Sequence, residues 1–392
     1  MDTKGEEIGF LRDQILARKQ KVRLLDAGIL KLSPPGVDIS NEQVAIGGGR
    51  NLEELMRQRD RGQAVEVMAA GAARIARELF EKGEIQGIIS LGGGSGTVIG
   101  TRAMRGLPVG LPKVMVSSMA SGNIRPYVET SDISMMPSVV DICGLNRITK
   151  RILRNAAASI CGMVEEKEEI LSAGRPLLAA TMFGVTTPCV AKAQEILEEK
   201  GYEVLVFHAM GTGGQAMEQL IGEGQIQAVL DITTTELADE LLGGKCSAGP
   251  HRLEKAGEMG IPQVVVPGAM DMVNYLPDAI PAQFRSRLLY VHNAATTLMR
   301  TNAEENRQLG QIMAQKLSKA KGPIVVYIPL GGFSAIDGPG QPFFDPEANR
   351  AFIDTLEKNL PPHIPVFKRK THINEPAFAK DLAQALLNLL RG

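Results

Sequence analysis

Apolar residues recur along this chain with two periods that take turns. Short β-branched runs, of the kind buried on both faces of a sheet, stand at Val22–Asp26, Gly87–Leu91 and Lys113–Ser117. Around them the spacing is helical: residues 5–19, 64–82 and a stretch from Leu145 to about Glu166 each gather apolar side chains on one face. The second half repeats the alternation. Strands are predicted at Leu177–Met182, Glu203–His208, Ala228–Ile232, Gln263–Val266, Leu288–His292, Ile324–Ile328 and Val366–Arg369. Helices are predicted over 188–200, 214–222, 302–320, 346–359 and 376–391. Strand–helix alternation implies parallel sheets covered on both faces. The expected fold class is therefore α/β, with two Rossmann-like doubly wound domains and mainly parallel sheets. The charged stretch 167–176 ends in Gly-Arg-Pro and is the expected linker, dividing the chain into domains over 1–170 and 177–392.

The start of the chain breaks this rhythm. Met1–Glu7 reads as the loop and first helical turn that follow a strand, yet no strand stands before it. Either the sheet lacks that strand, or the chain begins downstream of a natural start. An ordinary N-terminal helix, with Thr3 as cap and Glu6 as its capping-box partner, fits equally well.

Composition narrows the class of function. The chain has 392 residues, enough for two domains, with 44% hydrophobic and 22% charged residues, as in a soluble globular protein. A formal net charge of −1 gives no electrostatic reason to expect nucleic acid or an anionic membrane as partner. Aromatics are only 4%, with no Trp, which disfavours base-stacking platforms. No apolar run reaches spanning length and no signal segment opens the chain. The scattered Cys143, Cys161, Cys189 and Cys246 form no C-x-x-C pair, so a reduced, cytoplasmic protein is expected, with no metal site.

Candidate chemistry gathers at predicted strand ends, where open α/β sheets bind ligands. The strongest local signal is Gly92-Gly93-Gly94-Ser95-Gly96-Thr97, a glycine-rich turn between a strand and a helix. Glycines permit close backbone approach, and a helix N-terminus points free N–H groups at an anion. The string is neither a Walker A loop nor a dinucleotide G-x-G-x-x-G in register. Ser118, Ser121 and Asn123 follow the next strand and can line the same crevice, or can form an ordinary polar turn.

The second half offers a similar turn, Gly211-Thr212-Gly213-Gly214, beside His208. Asp231 ends another strand, and three threonines after it lead to Glu236, which fits either helix capping or ligand contact. Asp271, Asn274, His292, Asn293 and Arg300 complete the list of strand-end candidates for this second crevice. His208, Asp231 and His292 are the acid–base candidates, each with an equally good structural reading. The glycine-rich stretch 331–340 fits a flap over that crevice or a plain surface turn.

A resemblance sharpens the first turn. MDTKGEE, LGGGSGT, VSSMASGN, MMPSVVDICGLNRI, TMFGVTTPCV, FHAMGTGGQAMEQLI, DITTTELADELLGG, PGAMDMVN and HN…LMRT occur in this order over essentially the whole chain. Together they resemble the Tm-1-like ATP-binding family, a largely uncharacterised group that includes the N-terminal region of a plant tobamovirus-resistance protein. The resemblance implies two Rossmann-like domains, a homodimer, and ATP as ligand with Mg²⁺ as its companion ion. Carried over residue by residue, it implies nucleotide contacts at Thr3, Lys4, Gly92 to Thr97, Ser118, Ser121 and Asn123. The TIM-barrel-like region fused to the plant relative is missing here, which implies a separate barrel protein as partner.

Three functional readings fit these observations. The preferred one is a cytoplasmic ATP-binding protein with a small anionic molecule held in the second domain, whose catalytic version is an ATP-dependent enzyme acting on that metabolite. The second is a non-catalytic module gated by nucleotide. The third is an ATP-independent isomerase or lyase of a sugar or organic acid.

Overall fold

The computed structural model describes residues 2–34, 36–166 and 174–391. The chain divides into two compact units, Met1–Ile170 and Leu171–Gly392. The expected linker falls between them, but residues 167–173 of it lie outside the described residues. Both units are α/β, with parallel sheets of the Rossmann kind.

The first unit opens with α1 (Gly5–Leu16), α2 (Asn41–Gly47), α3 (Leu52–Gln58) and α4 (Arg61–Glu81). It continues through β1 (Ile88–Gly92), α5 (Gly94–Arg105), β2 (Lys113–Ser117), α6 (Arg125–Val128), β3 (Ser134–Pro137) and α7 (Arg147–Glu165). β1, β2 and β3 form a parallel sheet in that order, with Ile88 opposite Lys113 and Val114 opposite Ser134. Leu11 and Ile15 of α1 join Leu153, Ala156 and Ile160 of α7 against Leu91, Val114 and Val116. A second cluster packs α4 on α2 and α5 through Met68, Ala72, Val44 and Ala103. Side-chain oxygens set the helix starts: Asn146 accepts from Thr149 N at 2.9 Å, and Ser40 with Gln43 closes a capping box on α2. The strand predicted over Val22–Asp26 is the main departure. That segment is extended but makes one isolated bridge, Leu25 to Ile39, and pairs with no strand.

The second unit begins with β4 (Leu177–Met182), α8 (Thr187–Glu199), β5 (Glu203–His208), α9 (Thr212–Gly222), β6 (Ala228–Thr233) and α10 (Glu236–Leu242). Next come α11 (Lys255–Met259), β7 (Gln263–Gly268), β8 (Met272–Tyr275), β9 (Leu289–Asn293), β10 (Thr296–Arg300) and α12 (Ala303–Leu317). β11 (Ile324–Pro329), α13 (Pro346–Asn359), β12 (Val366–Arg369) and α14 (Pro376–Leu389) close it. Six parallel strands run in the order β12-β11-β7-β6-β4-β5. α8 and α14 cover one face through Val190, Leu197, Phe378 and Leu382. α12 and α13 cover the other through Leu309, Met313, Phe352 and Leu356. The run predicted at Leu288–His292 forms β9, but in a separate antiparallel sheet of order β8-β10-β9. β8 and β10 escaped the sequence reading because the eye for βα units finds no helix between them.

Candidate functional site

Each glycine turn joins a strand end to a helix N-terminus, and the structure gives the two turns different surroundings. In the first unit, Gly93 is the N-cap of α5, and Thr97 N is the first amide to bond back, donating to Gly93 O at 2.8 Å. The N–H groups of Gly94, Ser95 and Gly96 therefore open the helix without an intrahelical acceptor, and the helix dipole adds positive potential there. The turn is tight where it must be: a Cβ on Gly92 would stand 2.8 Å from Gly96 Cα. It is open where a ligand would sit, since a Cβ on Gly94 meets nothing within 4 Å.

Thr97 holds this turn from behind. It is fully buried, and its hydroxyl donates to Gly93 O at 2.8 Å. With that proton spent, the 2.6 Å contact to Ser117 Oγ requires Ser117 to donate. Ser117 Oγ in turn accepts from Met119 N at 2.9 Å, so one hydroxyl chain fixes both the β1 and β2 ends. Ser118, Ser121 and Asn123 are exposed on the loop that follows. Ser118 leans toward the turn, its Oγ 3.6 Å from where a Gly93 Cβ would be. Asn123 spends its Oδ1 on Arg125 N at 3.1 Å.

Thr3, Lys4 and Gly92 to Gly96 line one cavity of the first unit, of about 2040 Å³. Lys4 donates its Nζ to Ile142 O, which ties it to the loop before α7. The sequence reading missed Arg61 on the same wall. Its Nη2 donates to Ser95 Oγ at 3.1 Å, placing a guanidinium at the positive end of α5. A cation there opposes the helix dipole unless an anion lies between them. The Arg59-Asp60-Arg61 cluster opening the 64–82 helix was the available signal.

At the second turn the helix N-terminus is filled by the protein. Glu236 reaches the start of α9 and accepts from Gly211 N at 2.8 Å and Gly214 N at 3.1 Å. Gly211 has φ +83°, and a Cβ on Gly214 would lie 2.3 Å from Glu236 Oε2, so only glycine fits either position. Thr212 and Gly213 complete that turn. Behind Glu236 sits Arg252, 1% exposed, whose Nε donates to Glu236 Oε2 at 2.6 Å. Its two terminal nitrogens grip Asp231 at 2.6 and 2.7 Å, and Nη1 reaches Glu218 at 3.4 Å. Burial pushes the Glu236 and Glu218 carboxyls above their ordinary range, opposed by Arg252. Burial also works against the Arg252 charge, but Asp231 and Glu236 hold its pKa well above the usual guanidinium value.

The acid–base candidates are not gathered into one site. Asp231 is taken by Arg252 and by Thr181 Oγ1, which donates to it at 2.7 Å. His208 is exposed at the end of β5 and stacks on Phe183, ring centroids 5.4 Å apart. His292 and Asn293 are exposed on β9, in the other sheet. The threonines after Asp231 are buried and give their hydroxyls to neighbouring groups: Thr234 to Val266 O and Thr235 to Met272 O. Neither caps α10.

Asp271, Asn274 and Arg300 are buried and held by protein partners. Asn274 donates to Asp239 at 2.8 Å. Arg300 donates to Asn349 Oδ1 at 2.7 Å and stands 3.5 Å from Asp337. Ser334 donates to Asp271 at 2.8 Å, and Asp337 accepts from Phe333 N at 2.8 Å. Stretch 331–340 is thus folded into the interior through Phe333, Ser334 and Asp337, all fully buried, where a free flap was one expectation.

Known proteins bear on this geometry. Family models for the N-terminal and C-terminal domains of an uncharacterised protein family (UPF0261) match residues 1–169 and 175–390. The chain belongs to the UPF0261 family. It is 48% identical over 392 residues to a UPF0261 protein of Clostridium tetani, covering all of this chain and 97% of that protein. A UPF0261 protein of Mesorhizobium japonicum is 44% identical over 393 residues, again covering all of this chain and 97% of the relative. The tomato (Solanum lycopersicum) ToMV resistance protein Tm-1(GCR237) is 42% identical over 339 residues, which are 84% of this chain and 45% of the tomato protein. The link to the plant protein expected from the ordered motifs is therefore present.

Proposed function

We propose that the first unit binds ATP, with its phosphates at the α5 N-terminus. The observation that carries this reading is the contrast between the two turns. α9 has its N-terminal amides covered by Glu236, whereas at α5 the neighbouring charged group on Ser95 is a cation, Arg61. A phosphate resting on Gly94, Ser95 and Gly96 N–H would satisfy both the helix end and Arg61. The Ser118 hydroxyl and the open space over Gly94 complete the cradle. Geometry supports the phosphate, and the sequence resemblance supports its being part of ATP. Thr97 and Lys4 serve this site by holding loops in place. A Mg²⁺ would arrive with the nucleotide.

Titration calorimetry with ATP tests the reading. Gly94→Val is expected to abolish binding by placing a side chain in the open space over the helix start. Arg61→Ala is expected to weaken it by about tenfold, the size of one charge-assisted contact. Wild-type protein that fails to bind ATP, or an unchanged affinity in both variants, would overturn it.

A further inference from the structure

The first unit contains a large cleft that runs into its interior and stays partly open to solvent. Packed cores leave few spaces larger than a water molecule, yet this cavity measures about 2040 Å³ and runs from the glycine turn between α1, α4 and β1. Its inner wall includes the apolar Leu11, Ile15, Leu25, Met68 and Ile89, and charged residues such as Arg12, Arg23 and Arg61 also line it. β1 forms one side. Ile88 N donates to Pro112 O at 2.9 Å and Gly92 O accepts from Ser118 N at 3.3 Å, so alternate residues of β1 face β2. Ile89 and Leu91 therefore turn their main-chain N–H and C=O groups the other way, to an edge with no neighbouring strand among the described residues.

The second unit shows what belongs at such an edge. There the first strand, β4, lies between β5 and β6. The first unit has a counterpart of each neighbour: the extended segment at residues 22–25 follows α1 as β5 follows α8, and β1 comes next in the order as β6 does. Both counterparts line the cavity, and they do not pair with each other. Between them lies the cavity, with no strand among the described residues.

We infer that the cavity is the seat of one extended apolar polypeptide strand, parallel to β1 and hydrogen-bonded to Ile89 and Leu91. Size agrees. A six-residue strand about 20 Å long, at ~4.8 Å strand spacing and ~10 Å layer thickness, fills on the order of 1,000 Å³. One strand fits, with the mouth at Gly92 to Gly96 left free. Direction follows from Thr3 and Lys4, which line the same cavity just before α1 and receive a strand whose last residue ends beside the glycine turn. The inference is independent of the nucleotide reading.

The strand can be supplied in two ways: as a six-residue Val/Ile extension ahead of Met1, and as the free peptide added to the unaltered chain. The expected result is slower amide exchange at Ile89 and Leu91, by at least about tenfold, with the extension also raising Tm. A Gly/Ser extension of equal length should do neither. Unchanged exchange at both residues with either Val/Ile strand overturns the inference, as does equal protection by the Gly/Ser control. Protection by a fatty acid that the peptide cannot displace would make the cavity a lipid site and overturn it too.

Discussion

The Glu236 carboxylate stands where an anionic ligand of the second glycine turn would stand, accepting from Gly211 N at 2.8 Å. The turn is built as an anion site, and the anion is part of the chain. Its charge is balanced from behind by Arg252, which in turn holds Asp231. The arrangement joins α9, α10 and the end of β6 through one buried guanidinium.

Removing that internal anion should therefore leave an anion-shaped hole. Glu236→Ala strips the acceptor from two buried amides and one partner from Arg252, a loss of about 3–5 kcal/mol for breaking a buried ion pair. Formate or acetate should raise the Tm of Glu236→Ala by more than that of the unaltered protein, since a small carboxylate can re-occupy the position. Equal responses in thermal melts would mean that the hole collapses.

Arg252→Leu makes the opposite charge error. It leaves Asp231, Glu236 and Glu218 buried together with no cation, again at about 3–5 kcal/mol. Carboxyls in that state take up protons readily, so the deficit should shrink as pH falls from 7 toward 5. Urea titrations at both pH values check this. A deficit that does not change with pH would mean that water reaches the three acids.

Buried carboxyls also set a pH slope on the second unit. Burial, reinforced by Asp337, pushes Asp271 up to about 7, against the pull of Arg300 and Ser334. Burial likewise pushes Asp239 up to about 7, against hydrogen bonds from Asn274 and Cys246. A carboxyl raised on folding keeps its proton in the native state while the unfolded chain has lost it at about pH 4. Stability from these groups is therefore full below about pH 4 and lost as pH rises to about 7, each contributing a slope of at most about 1.4 kcal/mol per pH unit. Asp271→Asn should flatten that fall in denaturant titrations across the range. An unchanged slope would assign the titration elsewhere.

How much of this was legible in the sequence follows from what each signal depends on. Strands such as Lys113–Ser117 and Ile324–Pro329 announce themselves because both faces are buried and the run is almost continuously apolar. The Val22–Asp26 run, apolar at Val22, Leu24 and Leu25, formed no strand, because a strand needs a partner edge and none adjoins it among the described residues. β8 and β10 are short antiparallel partners whose pairing is non-local, so no window of sequence contains the cue. For the sites, the glycines spoke for themselves. Which turn was open and which was closed depended on Glu236, 22 positions from Gly214, and Arg61, 34 positions from Ser95. Such contacts exist only in the fold.

Thr97, read from the sequence as a nucleotide contact, stands behind the turn. Its buried hydroxyl links Gly93 O to Ser117, so its work is to hold the cradle's shape. Thr97→Val keeps the volume but leaves Ser117 without its acceptor, a loss of about 1–3 kcal/mol. Thr97→Ser keeps the hydroxyl and gives up only a methyl group. A direct ligand contact and a latch make the same prediction for valine alone, so the pair must be read together with the structure of the free protein. With a latch, Thr97→Val should loosen the turn before any nucleotide is added, seen as faster exchange at Gly94 to Thr97, and should weaken ATP binding by about tenfold. Thr97→Ser should match the unaltered protein in both measurements. If Thr97→Val exchanges normally without nucleotide and yet loses affinity, the hydroxyl meets the ligand itself.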